Sequence, residues 1–229
     1  MCAGSRPVPL PAIYERIDPR RAAMGALLCW AGFIATAIAI AAGYTTGIEH
    51  ALLVPHRAAT RGAEAVRDVT ALGGVPLRML FALIAAGFLV ALRQWRLAAW
   101  LAVTVLTGWA VGTLLKVVVA RPRPDFVPHM MHASGFSFPS GHAFNGTLVW
   151  LAIALAFAPL IARRPFRIAL LLCALALGAA IGMSRVWLGV HYPGDVFAGW
   201  LGGAGWAFAA AALIPLMAPA GARTVVRAG

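Results

Sequence analysis

The chain has 229 residues, of which 62% are hydrophobic and only 11% are charged. Soluble domains are typically about 45–50% apolar and about 25% charged, so this much apolar surface cannot be buried in one water-exposed domain. The 19 Lys and Arg residues give a net charge of +12, but they lie between apolar runs and form no recognisable reading motif, which argues against a nucleic-acid partner.

Six apolar runs follow one another along the chain. They cover residues 22–42, 75–92, 97–119, 141–160, 168–187 and 196–217. Each is close to the roughly 20 residues that a helix needs to cross a bilayer, and each is apolar around the whole helix. The sequence therefore predicts an all-α, polytopic membrane protein with six transmembrane helices, folded as a single domain over residues 1–229.

The basic residues predict which helix ends face the cytoplasm. Eleven of the 19 Lys and Arg residues lie in the N-terminal tail (residues 1–21), the short links 93–96 and 163–167, and the C-terminal tail (residues 218–229). Cations in short loops favour the cytoplasmic side of a membrane. Both tails are therefore predicted to be cytoplasmic, whereas the connector 44–74 and the segment 120–140 are predicted to be external.

Two further patterns concern packing and the membrane surface. Between residues 50 and 72, apolar and charged positions alternate in a way that predicts a short interfacial helix, which could cover the substrate entrance; a solvated connector fits the pattern equally well. The apolar positions are Leu52, Ala59, Val66 and Val69, and the charged ones are Arg57, Arg61, Glu64 and Arg67.

Gly199 and Gly203 form a GxxxG pattern that predicts close helix packing.

Polar residues near the membrane collect at one end of the predicted helices. They are Lys116, Arg121 and Arg123 around the end of the third run, Ser140, Gly141 and His142 at the start of the fourth, Ser184 and Arg185 at the end of the fifth, and His191 and Asp195 before the sixth. Because successive helices run in opposite directions, all of these residues fall on the same, external face. Charges at membrane depth cost roughly 2.5–3.5 kcal/mol each, so such residues are functional candidates by default.

The chemistry of this cluster favours an anion over a metal ion. Lys116, Arg123 and Arg185 would repel a divalent cation, which prefers neutral or anionic ligands. Arginine forks, a lysine and backbone amides at a helix N-terminus are instead the groups that hold a phosphoryl group. Gly141 would let the backbone approach such an anion closely. The cluster predicts a phosphate site that needs no metal and no cofactor.

His129 and His132 are a separate pair of possible ligands, spaced i, i+3 in the external segment. A metal site is possible in principle, but Asp125 is the only carboxylate or thiol close to them in the sequence. Solvated loop histidines therefore fit the pattern better than a zinc site.

The clustered residues form three blocks that resemble the motifs of the type 2 phosphatidic acid phosphatase superfamily. The blocks are Lys116 followed by six residues and Arg123-Pro124, then Pro139-Ser140-Gly141-His142, then Ser184-Arg185 followed by five residues, His191, three residues and Asp195. Every spacing agrees with the family pattern, and the blocks together span about a third of the chain.

The resemblance implies a role for each of these residues. His191 is the nucleophile, and Asp195 accepts a hydrogen bond from its other ring nitrogen and fixes the tautomer. His142 protonates the leaving oxygen and later activates water. The phosphate oxygens are held by Lys116, Arg123, Ser140, Gly141 and Arg185.

The function implied by the resemblance is metal-independent dephosphorylation of a membrane lipid through a phosphohistidine, in a bacterial inner membrane with the active site facing the periplasm or exterior. Undecaprenyl diphosphate is the favoured substrate, with phosphatidylglycerophosphate, phosphatidic acid and lipid A as alternatives. A phosphotransferase could use the same intermediate. Vanadium haloperoxidases share the residue set but are soluble, and a transporter with an anion filter would need no nucleophile.

Overall fold

The computed structural model describes residue 14 and residues 16–53 and 61–217, and within these ranges the chain forms helices and no strand. In chain order the α-helices are α1 (Pro19–Ala41), α2 (Thr46–Leu52), α3 (Arg61–Ala71), α4 (Val75–Ala91), α5 (Trp95–Val119), α6 (Gly141–Phe157), α7 (Arg164–Trp187) and α8 (Pro193–Ala211). Short 3-10 turns, Ala158–Leu160 and Ile214–Met217, follow α6 and α8. The predicted tail 218–229 and most of the predicted tail 1–21 lie outside the described residues.

The helices confirm the prediction of an all-α, multi-pass membrane protein. Five segments are long and apolar enough to cross a bilayer, namely Pro19–Ala41, Trp95–Val119, Gly141–Leu160, Arg164–Trp187 and Pro193–Met217. The remaining predicted span, α4, has 17 residues, and it qualifies only together with α3, from which it is bent by 48°.

Three helices begin three or four residues before the apolar run that predicted them. The helices α1, α7 and α8 each carry a proline in the first turn, where the missing N–H is not needed. Asp18 caps α1 by accepting a hydrogen bond from the Arg20 backbone N–H at 2.9 Å. The apolar run therefore marks only the hydrocarbon-facing part of each helix, because the first turn is built from polar residues and proline.

The most buried span is α6, which packs against α5, α7 and α8, while α1 packs on α8. The GxxxG prediction is confirmed. A Cβ at Gly203 would lie 2.2 Å from the Phe144 carbonyl oxygen, and one at Gly199 would lie 2.8 Å from Ala143 Cβ. The two glycines thus let α8 approach α6 closely, and this contact brings the first turns of both helices together.

A short interfacial helix and a solvated segment are the two sequence-based alternatives for residues 50–72 of the connector. The connector contains two helices, α2 and α3, and residues 54–60 between them are outside the described ranges. The inward-facing Glu49 and Leu53 of this segment are buried, and α3 packs on α7. Amphipathic spacing alone does not encode these contacts with the helix bundle, and an interfacial position of α3 stays a prediction.

Candidate active site

A cavity of about 320 Å³ lies at one end of the bundle, where α4, α5, α6 and α7 meet. Six of the eight residues predicted for the site line this cavity. They are Lys116, Arg123, Gly141, His142, Arg185 and His191. Helix ends from different parts of the chain therefore bring the three sequence blocks together.

Three of the lining residues are cations held in place by neutral groups. Lys116 Nζ donates to the Phe136 carbonyl at 2.6 Å, and Arg123 donates to three carbonyls, the nearest of which is that of Val190 at 2.7 Å. Arg185 donates to Thr70 Oγ1 at 3.0 Å. Within the described part of the chain, no ion pair involves any of these three cations.

Arg185 shows most clearly that this positive charge is not neutralised by the protein. It is only 2% exposed, and its Nε has no hydrogen-bond partner among the described residues. A buried guanidinium without a carboxylate is costly unless an anion compensates it. The cavity is therefore suited to a phosphoryl group, whose oxygens accept from arginine forks.

His191 presents one ring nitrogen to Arg123. Arg123 Nη1 lies 3.0 Å from His191 Nε2, and because a guanidinium can only donate, Nε2 must accept through its lone pair. The proton of the neutral ring is therefore on Nδ1. Burial lowers the pKa of His191 to about 4, although Asp195 partly opposes this effect. The imidazole is neutral at physiological pH, which is the form that a nucleophile requires.

Ser137 contacts both His191 and Asp195, for which the family resemblance implies a direct hydrogen bond. His191 Nδ1 is 3.5 Å from Asp195 Oδ2, whereas Ser137 Oγ is 3.2 Å from Nδ1 and donates to Oδ2. Since the single hydroxyl proton goes to the carboxylate, the Ser137 oxygen can accept from Nδ1–H. The carboxylate therefore orients the ring partly through this serine, which sequence reasoning missed because it belongs to none of the three blocks.

Asp195 is also bound by a buried ion-pair network that the sequence did not predict. Arg121 Nη1 donates to Asp195 Oδ1 at 2.7 Å, and Arg121 Nη2 donates to Glu49 Oε2 at 2.6 Å. Both carboxylates are at least 98% buried. Burial lowers the pKa of Arg121, but the hydrogen bonds and charges of Glu49 and Asp195 outweigh it and raise the pKa overall. Arg121 therefore stays charged and fixes Asp195 instead of facing the cavity.

Comparison with known proteins identifies the family of the chain. The family model of the PAP2 superfamily, the type 2 phosphatidic acid phosphatases, matches residues 96–216, which include all three blocks. The chain belongs to the PAP2 superfamily. The family resemblance read from the sequence is thus confirmed, and α1 to α4 lie outside the matched segment.

Several PAP2 proteins of assigned activity are similar to this chain. Lipid A 1-phosphatase of Rhizobium etli is 38% identical over 119 residues, which cover 48% of this chain and 47% of that protein. Phosphatidylglycerophosphatase B of Bacillus subtilis is 38% identical over 97 residues, 41% of this chain and 46% of that protein. Undecaprenyl-diphosphatase BcrC of Bacillus subtilis is 34% identical over 99 residues, with coverage of 41% and 46%. The chain spans about half the length of these curated relatives.

A solved PAP2 structure covers more of the chain. The crystal structure of a transmembrane PAP2-type phosphatidylglycerolphosphate phosphatase from Bacillus subtilis matches with a TM-score of 0.69 and 27% identity. The match covers 81% of this chain and 93% of that one. The PAP2 helix arrangement therefore extends beyond the segment that carries the three blocks.

The two predicted PAP2 site residues that do not line the cavity are Ser140 and Asp195. Asp195 is fully buried and contacts His191, with 3.5 Å between Asp195 Oδ2 and His191 Nδ1. Ser140 is fully buried, and its Oγ has no hydrogen-bond partner among the described residues. Its backbone N–H donates to the Asp195 carbonyl at 2.9 Å. That Ser140 holds a phosphate oxygen stays a prediction.

The two histidines of the 120–140 segment, His129 and His132, do not share one site. His129 Nε2 lies 2.7 Å from the Pro124 carbonyl, whereas His132 lines the cavity, so each has a separate environment. Over the described ranges, no group of three or more His, Cys, Asp or Glu side chains is arranged to hold a metal ion.

Replacing Arg121 with methionine is expected to destabilise the PAP2 fold by about 3–5 kcal/mol, because it leaves Glu49 and Asp195 buried without their cation. Thermal unfolding in detergent would measure the loss. Arg167→Met is a matched control, since Arg167 donates to the Ile161 carbonyl at 3.3 Å and forms no ion pair with any described residue. The double variant Glu49→Gln/Arg121→Met should recover part of the loss. Equal unfolding temperatures for Arg121→Met and Arg167→Met would show that the network contributes nothing.

Proposed function

We propose that the protein is a lipid phosphatase that transfers a phosphoryl group from a membrane lipid to His191 and then to water. The observation that carries the proposal is a cavity lined by both the His191 imidazole and cations that form no ion pair within the described part of the chain. His191 Nε2 has its lone pair directed at Arg123, and Lys116 and Arg185 line the same space. A phosphate bound between these cations would meet the nucleophile directly.

The reaction needs two steps. In the first, a phosphate oxygen replaces His191 Nε2 as the acceptor of the Arg123 hydrogen bond, and the freed lone pair attacks phosphorus. The bond from phosphorus to the lipid oxygen breaks, and His142 donates a proton to that oxygen. In the second, His142 removes a proton from water, the water oxygen attacks phosphorus, and the bond to His191 breaks. Lys116, Arg123, Ser140, Arg185 and the Gly141 amide stabilise the charge on the phosphate oxygens.

The proposed substrate is a lipid phosphate or diphosphate, with undecaprenyl diphosphate favoured. The names of the PAP2 relatives support this range, because they include a lipid A 1-phosphatase, a phosphatidylglycerophosphatase and an undecaprenyl-diphosphatase. The second candidate is a lipid phosphotransferase. It would use the same phosphohistidine but pass the phosphoryl group to another lipid or a sugar in place of water.

Release of inorganic phosphate by purified protein in detergent tests the proposal. The panel contains a prenyl diphosphate, phosphatidylglycerophosphate, phosphatidic acid and lipid A. We expect release that survives EDTA and is blocked by vanadate, because protein cations rather than a metal ion form the anion site. Loss of all activity on chelation, with rescue by magnesium or zinc, would contradict the metal-independent mechanism. Transfer to an added alcohol without phosphate release would favour the phosphotransferase.

The proposed location is a bacterial inner membrane, with the cavity facing the periplasm or exterior. The short basic links 93–96 and 163–167 support this orientation. A reporter fused after Gly229 is expected to be cytoplasmic, and one inserted in the 120–140 segment is expected to be external. The opposite reporter pattern would place the active site in the cytoplasm.

A further inference from the structure

The cavity contains a fourth cation that belongs to none of the three sequence blocks. Arg78 is the only charged residue in α4, is 5% exposed and lines the cavity. It lies outside the 96–216 segment that matches the PAP2 family model. No ion pair found among the described residues involves Arg78.

The hydrogen bond of Arg78 to the protein does not account for its charge. Arg78 Nη1 donates to the Gly73 carbonyl at 2.9 Å, which occupies one of the five N–H donors of a guanidinium. A neutral donor such as glutamine could make the same bond. A buried cation in a membrane helix is unfavourable without a compensating anion, so its presence in a cavity points to an anionic ligand.

Arg78 contacts the turn that packs on His142, not the residues around His191. The Gly73–Gly74 turn, which Arg78 holds, packs on His142: a Cβ at Gly73 would lie 3.3 Å from His142 Cδ2, and one at Gly74 would lie 3.9 Å from His142 Nε2. Arg123, in contrast, contacts His191 directly. The cavity therefore has one cation beside the nucleophile and another beside the residue that would protonate the leaving group.

We propose that Arg78 binds the leaving phosphate of a lipid diphosphate, an inference that rests on the proposed phosphatase function. When the bond from the transferred phosphorus to the bridging oxygen breaks, its electron pair stays on that oxygen and produces a lipid monophosphate. A monoester phosphate carries about −1.5 to −2 charges at neutral pH, and Arg78 stabilises this developing charge. A monoester substrate has no such group, so Arg78 selects for diphosphates.

The test compares kcat/KM for a prenyl diphosphate and for a prenyl monophosphate of the same chain length. For Arg78→Gln we expect a loss on the order of 10²-fold with the diphosphate, as for removal of one charge-stabilising donor, and only a few-fold loss with the monophosphate. Arg78→Lys, which keeps the charge, should recover much of the diphosphate activity. The ratio of the two substrates within one variant does not depend on how much protein is folded.

Arg96→Gln is the matched control, because Arg96 likewise donates to a backbone carbonyl, that of Met217 at 2.6 Å, but does not line the cavity. It should leave the substrate ratio unchanged. Equal losses for both substrates in Arg78→Gln would overturn the proposal.

A binding experiment uses inorganic pyrophosphate and phosphate as probes and measures how much each raises the unfolding temperature of the protein. If the wild type hydrolyses neither lipid, the phosphatase proposal fails. The binding experiment then still tests Arg78: a selective loss of pyrophosphate binding in Arg78→Gln supports Arg78 as the diphosphate contact. Equal losses of pyrophosphate and phosphate binding overturn it.

Discussion

The variant His191→Ala is expected to lose phosphate release on every lipid substrate, with a fall in kcat on the order of 10⁴-fold or more. Removing the nucleophile of a serine hydrolase costs about 10⁶-fold, and alanine offers no atom that could take up the phosphoryl group. Substrate binding should persist, because Lys116 and Arg185 are unchanged. Initial rates and substrate protection against thermal unfolding would measure the two effects separately.

The control for His191→Ala is His50→Ala. His50 is exposed and stacks on Phe126 with ring centroids 4.1 Å apart, so its loss removes an imidazole from the chain without touching the cavity. We expect this variant to retain near wild-type rates. Phosphate release by His191→Ala within tenfold of the wild type would mean that another residue attacks phosphorus.

The variant His142→Ala is expected to lose much more activity on a monoester than on a diphosphate. A monoester such as phosphatidic acid must expel an alkoxide, whose conjugate acid is about as weak as water, with a pKa of about 15.7. A prenyl diphosphate expels a phosphate monoester, whose second pKa is about 6, and this group can leave largely unprotonated. General acid catalysis contributes typically about 10²–10⁴-fold. We expect most of that range for the monoester and little for the diphosphate in phosphoenzyme formation.

Burst kinetics can isolate this step, because breakdown of the phosphoenzyme is common to both substrates and should be slowed equally. The expected selectivity of His142→Ala is opposite to that of Arg78→Gln, so the two variants control for each other. Equal losses of burst rate for the two substrates in His142→Ala would show either that His142 is not the acid or that a different step limits the burst.

Much of the site could be predicted because its residues lie at the ends of successive apolar runs. Lys116, His142, Arg185 and His191 were placed on one face by helix alternation alone, and the structure brings them to one cavity. The spacing of these residues along the chain is enough to place them at the helix ends. Five of the six predicted spans were equally predictable, since apolar length and composition determine which segments can cross a bilayer.

The residues that were missed depend on contacts between distant parts of the chain. Glu49 is one of three acids in the connector, and only the fold places it beside Arg121, 72 positions later. Ser137 adjoins a recognised block, but its place between His191 and Asp195 is visible only in three dimensions. Arg78 offered one signal, a single charge within an apolar run. Burial of Glu49 and Leu53 in the connector is likewise a tertiary effect.

Rapid quench of the protein with labelled prenyl diphosphate tests most directly whether His191 carries the phosphoryl group. We expect a labelled protein that is acid-labile and base-stable, as phosphohistidine is, and that forms at the burst rate. The label should be absent from His191→Ala and present in His50→Ala. Absence of label from the active wild type, or label that persists in His191→Ala, would show that His191 does not carry the phosphoryl group.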